Sequence, residues 1–185
     1  MNSKTLLNRS ATGYSLIEVM VSLVIVGILT AAALPNFLGA QEKAKTASVK
    51  GNMRAAQVAA ESFAADNNGT YPDDVTDAYK TFFPGGDCGG SAAGKLGVPP
   101  LNPFTNARDW PVTFGLAAGS IADERALPPS SSGLAGKSQG TVGYVGFGVS
   151  PTGVNSYAYA VEGTDAAKNS VSGRTPNTTL VLSNL

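Results

Sequence analysis

Hydrophobic and polar positions follow three regimes along this chain. Residues 13–37, GYSLIEVMVSLVIVGILTAAALPNF, are apolar around the whole helical circumference. A helix of that kind has no polar side to show water and reads as buried or membrane-spanning. Over residues 36–67 the composition turns to Ala, Lys, Glu and Gln, with Val49, Met53, Ala56, Ala60 and Phe63 spaced by four and three in alternation. That spacing draws a single apolar stripe on an otherwise wet helix, and Asn67-Asn68-Gly69 predicts its stop. Beyond residue 140 the period falls to two. Residues 141–150, 156–165 and 178–185 read as strands, the first two joined by a hairpin-type connection at 151–155. Tyr157, Tyr159 and Val161 then share one face, and Ala158, Ala160 and Glu162 the other. The turn-rich stretch between helix and sheet predicts a strand near the end of 101–115, with Phe104, Trp110 and Phe114 as packing groups.

The pattern predicts an α+β fold, a long N-terminal α-helix packed on a C-terminal antiparallel β-sheet. Its divisions fall at 1–13, 14–35, 36–68, 69–140 and 141–185. At ~1.5 Å per residue the helix would run on the order of 80 Å. Pro35 removes one of its backbone hydrogen bonds and is expected to kink it.

One acid interrupts the first regime. Glu18 is the sole charge between Arg9 and Glu42, where a membrane would penalise it by up to ~2.5–3.5 kcal/mol. A secretory signal, with Lys4 and Arg9 as its basic region and Ala31-Ala32-Ala33 as its cleavage site, gains nothing from that penalty. A plain anchor would have to snorkel the acid at its edge. A third reading uses it. Cleavage between Gly13 and Tyr14 creates an α-amino group, and Glu18 can meet that ammonium on a neighbouring copy. In low dielectric an unmatched partner is expensive, so such a pair specifies register.

Gly13 followed by Tyr14-Ser15-Leu16-Ile17-Glu18 resembles the class III signal of type IV pilins and type II secretion pseudopilins. The resemblance covers residues 10 to about 70. It implies a pilin fold, with a transmembrane and filament-core half of the helix at 14–35 and an amphipathic half at 36–68. It also implies cleavage by a prepilin peptidase after Gly13, N-methylation of Tyr14, an assembly role for Glu18 and a helix kink at Pro35. Tyr14 stands where phenylalanine or methionine is more usual in the family. Leu16, Ile17, Val21, Leu23, Val24, Ile28 and Phe37 are the expected filament-core packing residues. The implied partners are copies of the chain itself, the peptidase, an inner-membrane assembly platform and, before assembly, the membrane. The family orientation puts the N-terminus in the cytoplasm. Charge counting argues the other way, since Lys43, Lys45, Lys50 and Arg54 follow the apolar run and only Lys4 and Arg9 precede it.

Composition narrows the function classes. Charged residues make up 14%, below the ~25% usual for soluble proteins, and the formal net charge is zero, so no specific nucleic-acid partner is expected. Histidine is absent and Cys88 stands alone, which removes the commonest general base, any internal disulfide and any thiolate metal site. No catalytic constellation, cofactor or metal site is expected. Residues 89–96, GGSAAGKL, nearly spell a phosphate-binding loop, but Leu96 replaces the hydroxyl that should hold magnesium. Asp73, Asp74 and Asp77 read as turn residues rather than calcium ligands. Loops 85–97 and 122–136 are expected to be exposed.

The reading is therefore a structural subunit that polymerises into a type IV pilus-like filament at the cell surface, of use in attachment, motility or DNA uptake. The alternatives are the major pseudopilin of a type II secretion system and a membrane-anchored extracytoplasmic binding domain that does not polymerise.

Overall fold

The apolar stripe is the face that the first helix, α1 (Leu16–Asp66), buries. The computed structural model of the chain describes residues 13–91, 93–117, 120–149, 156–173 and 178–184. The leader residues 1–12 and the connection at 151–155 lie outside them. The chain divides into two units, Met1–Gln41 and Glu42–Leu185. In the first, every described residue is exposed and α1 continues through Pro35.

In the second unit Val49, Met53, Ala56 and Ala60 are fully buried, joined by Ala59, Phe63 and Ala64. The helix stops where the sequence predicts. The amide of Gly69 donates to the carbonyl of Ala64 at 2.8 Å, and Asn68 and Gly69 take φ of 55° and 80°, left-handed values that end a helix.

The sheet has the order β1-β2-β3-β4. β2 (Val142–Val149) and β3 (Ser156–Gly163) form its antiparallel centre, β4 (Leu182–Ser183) joins β3 antiparallel, and β1 (Val112–Thr113) joins β2 in parallel. The sheet is thus mixed rather than wholly antiparallel. A long connection carrying α3 (Ile121–Ala126) separates β1 from β2, and parallel pairing requires such a crossover. The strand expected over 178–185 shrinks to β4 because Asn184 takes over the ladder with its side chain. Its amide donates to the carbonyl of Tyr157 at 3.0 Å and accepts from the amide of Tyr159 at 3.3 Å.

Tyr144, Tyr159 and Val161 meet the helix stripe, together with Tyr79 from the short helix α2 (Asp77–Lys80) and with Phe82 and Phe83. Phe104 and Trp110 pack at the margin of this cluster. Glu61 ties helix to sheet, accepting from the hydroxyls of Tyr159 (2.5 Å) and Tyr71 (2.9 Å).

The other sheet face is covered as well. Phe114, Ile121, Leu134, Ala160 and Val181 form a second core there. Residues 122–136 are accordingly not a free surface loop as expected. Leu134 and Glu124 within them are fully buried. The small residues Ala158 and Ala160 on that face leave the room that the covering segment fills.

Candidate functional site

Gly13, Tyr14 and Ser15 lead into α1 without regular structure. The first turn closes when the carbonyl of Ser15 accepts from the amides of Glu18 (3.1 Å) and Val19 (3.3 Å). Glu18 therefore occupies the first helical turn, where the unpaired amides and the helix dipole favour a carboxylate. The Gly13–Tyr14 peptide, one residue ahead of that turn, is irregular and open, with Tyr14 82% exposed, as proteolytic cleavage requires.

The surface that follows is apolar throughout. Leu16, Ile17, Val21, Leu23, Val24, Ile28 and Phe37 are each more than half exposed, so a single copy does not gather them into a core. Ser22 and Thr30 donate their hydroxyls to the carbonyls of Glu18 (2.7 Å) and Val26 (2.8 Å). Each hydroxyl is thereby satisfied on its own helix. The helix is long and apolar enough to cross a membrane, and an exposed patch of this size marks an interaction surface.

The decoys resolve into structural parts. Asp87 fills the loop that imitates a phosphate-binding motif, accepting from the amides of Gly89 (3.0 Å) and Lys95 (2.7 Å). These backbone hydrogen bonds hold its carboxyl below the usual range. The chain's own carboxylate takes the place of a bound anion, and a Cβ at Gly94 would stand 2.9 Å from it. Asp73 accepts from the hydroxyl of Ser156, Asp74 from that of Thr113, and Asp77 pairs with Lys80. The three acids serve three different partners.

Burial pushes up the phenols of Tyr79, Tyr144, Tyr159 and Tyr71. For Tyr159 and Tyr71 the hydrogen bond to Glu61 adds to it. Sequence reasoning missed a second polar feature, the burial of Glu124 and Glu162 against the outer face of the sheet. A signal existed in β3, where Glu162 shares a face with Ala158 and Ala160, a face too apolar to be wet.

Residues 8–34 match the family described as the prokaryotic N-terminal methylation motif. The type IV major pilin protein PilA of Myxococcus xanthus is 30% identical over 123 residues, which cover 60% of this chain and 54% of that protein. The type II secretion system core protein G of Pseudomonas aeruginosa is 37% identical over 59 residues, covering 32% and 42%. Its Vibrio cholerae counterpart is 41% identical over 64 residues, covering 35% and 43%. The chain thus spans about half the length of the curated relatives it matches. No solved structure matches it. The motif and these relatives make the chain similar to type IV pilins and type II secretion pseudopilins, and a long N-terminal helix with a C-terminal mixed sheet is consistent with that likeness. The motif and the apolar helix that carries it fit membrane anchoring before assembly.

Proposed function

We propose that this chain is a pilin, a structural subunit that is cut between Gly13 and Tyr14, methylated at Tyr14 and built into a helical filament. The observation that carries the proposal is Glu18, in the first turn of α1 and the one charge of residues 13–41, a stretch exposed at every residue. The subunit waits as a single-pass protein of the inner membrane with its N-terminus in the cytoplasm. The prepilin peptidase and an assembly platform then deliver it to the fibre. Leu16, Ile17, Val21, Leu23, Val24, Ile28 and Phe37 exchange lipid for one another at little gain, and once outside the membrane they are held together because exposure to water would cost ~25 cal/mol per Å². Pro35 eases the packing of the helix. Attachment, motility and DNA uptake are the uses open to such a fibre.

Matches to secretion core protein G favour a second reading, the major pseudopilin of a secretion piston. The pilin reading is supported by reach. Those matches extend over 59 to 64 residues, whereas 123 residues of likeness to the major pilin must continue past the end of α1 into the globular part.

The mass of the mature N-terminus and the behaviour of Glu18→Ala test the proposal together. A methylated Tyr14, with Glu18→Ala present in the membrane but missing from sheared fibres, is the expected result. An uncleaved chain, or fibres formed normally by the variant, would overturn it.

A further inference from the structure

On the sheet face away from α1, Glu162 of β3 and Glu124 of α3 are both fully buried. Glu124 accepts from the amide of Gly133 at 2.6 Å, and Glu162 accepts from the hydroxyl of Ser170 at 3.0 Å. Ser132, next to Gly133, touches Ser170 and so brings the two acids to one buried polar cluster, in which Oε1 of Glu162 has no hydrogen-bond partner. Two ionised carboxylates can only accept, so they cannot satisfy each other. A proton placed between them gives that oxygen its bond.

α3 contributes Glu124, and Arg125 beside it donates to the carbonyl of Val181 (3.4 Å) and the hydroxyl of Ser183 (2.8 Å). β2 opposes Glu162 with Gly143, and the flanking segments bring the hydroxyls of Ser132 and Ser170, which touch each other. The covering segment sits too close to the sheet for looser packing. A Cβ at Gly133 would overlap the carbonyl of Gly115, and one at Gly143 would stand 2.7 Å from both Leu134 and Phe114.

We propose that Glu124 and Glu162 are a shared-proton latch that holds residues 120–136 as a flap on the outer sheet face and releases it when the proton is lost. Burial, and then the charge of Glu124, push the Glu162 carboxyl up from 4.5 to about 7, against the hydrogen bonds from Ser170 and Ser132. A carboxyl raised on closing stabilises the closed form fully below 4.5. That stabilisation is lost as pH rises through about 7. Neutral to alkaline surroundings therefore loosen the flap and uncover Leu134, Phe114 and Val181.

The test is amide hydrogen exchange on the full chain in detergent micelles between pH 4 and 9, corrected for intrinsic rates. Peptides over 120–136 are compared with those over 49–63. The flap's opening constant is expected to rise roughly tenfold per pH unit between about 4.5 and about 7 and then to level off, while the helix stripe stays flat. Glu124→Gln supplies a permanent amide donor to the orphan oxygen, and Glu162→Gln removes the charge from the other side. Either is expected to flatten the profile. A flat wild-type profile, or variants that keep the wild-type slope, would overturn the latch. So would calcium chloride restoring protection at pH 8, which would make the pair a cation site.

Discussion

Replacing Gly163 by Ala tests how tightly α1 is seated on the sheet. A Cβ there would stand 2.6 Å from Cγ1 of Val49, 2.9 Å from Sδ of Met53 and 3.1 Å from Cγ of Met53. Carbon pairs are comfortable at about 3.5–4 Å, so the helix must shift or the side chains must leave their rotamers. Overpacking of that size costs about 1–3 kcal/mol. Val49→Ala alone removes two buried methyl groups and should cost about 2 kcal/mol. It also deletes the closest clashing atom. The double variant should therefore be more stable than the two single effects predict, with a coupling of about 1 kcal/mol or more. Urea unfolding of the full chain in detergent reads this out through Trp110, the single tryptophan, which packs edge-on against Phe83 at 5.2 Å. A lower midpoint at constant slope marks lost stability. If Gly163→Ala leaves the midpoint in place, or the two substitutions add without coupling, the close helix–sheet approach is wrong.

Alkaline titration of phenol absorbance should give fewer ionisations below pH 11 than the six tyrosines present, because Tyr71, Tyr79, Tyr144 and Tyr159 are raised by burial. Their raised values stabilise the fold below about 10 and withdraw that support above it, so the missing phenols should appear together with loss of near-ultraviolet dichroism. Asp87→Ala should open the 86–97 loop and speed tryptic cleavage after Lys95 several-fold, with the unfolding midpoint little changed. Unaltered cleavage would show that the carboxylate does not organise the loop.

The helix was legible because its period is long and its stripe uninterrupted. Val49, Met53, Ala56, Ala60 and Phe63 repeat often enough to fix both the face and its partner. Glu18 was conspicuous for another reason, since a charge stands out chemically in an uncharged run about as long as a membrane span. The sheet was harder to read. Two-residue strands such as β1 and β4 are shorter than any period that could reveal them, and their pairing depends on Asn184 and on a crossover that the local sequence does not encode. The outer layer escaped altogether. Residues 120–136 look like an ordinary polar loop until Leu134 and Glu124 are seen to be buried, and burial of an acid is decided by distant partners such as Ser170 and Glu162.

The exposed apolar start of α1, residues 16–41, and its single acid, Glu18, divide the proposed work of assembly between them. Leu16, Val21, Leu23 and Ile28 are similar in size and chemistry to their neighbours, so sliding one helix along another exchanges one apolar contact for a nearly equal one. Cohesion of that kind is strong and poorly registered, as in coiled coils whose seams lack a polar residue. A slip of one turn, about 5.4 Å along the axis, would carry Glu18 from about 4 Å to about 7 Å from the amine of the next copy. At an effective dielectric near 20 that change weakens the attraction by about 1.7 kcal/mol, roughly twentyfold in population. The penalty recurs at every copy. A charge that contributes little to overall cohesion is then the feature best able to set the filament's repeat.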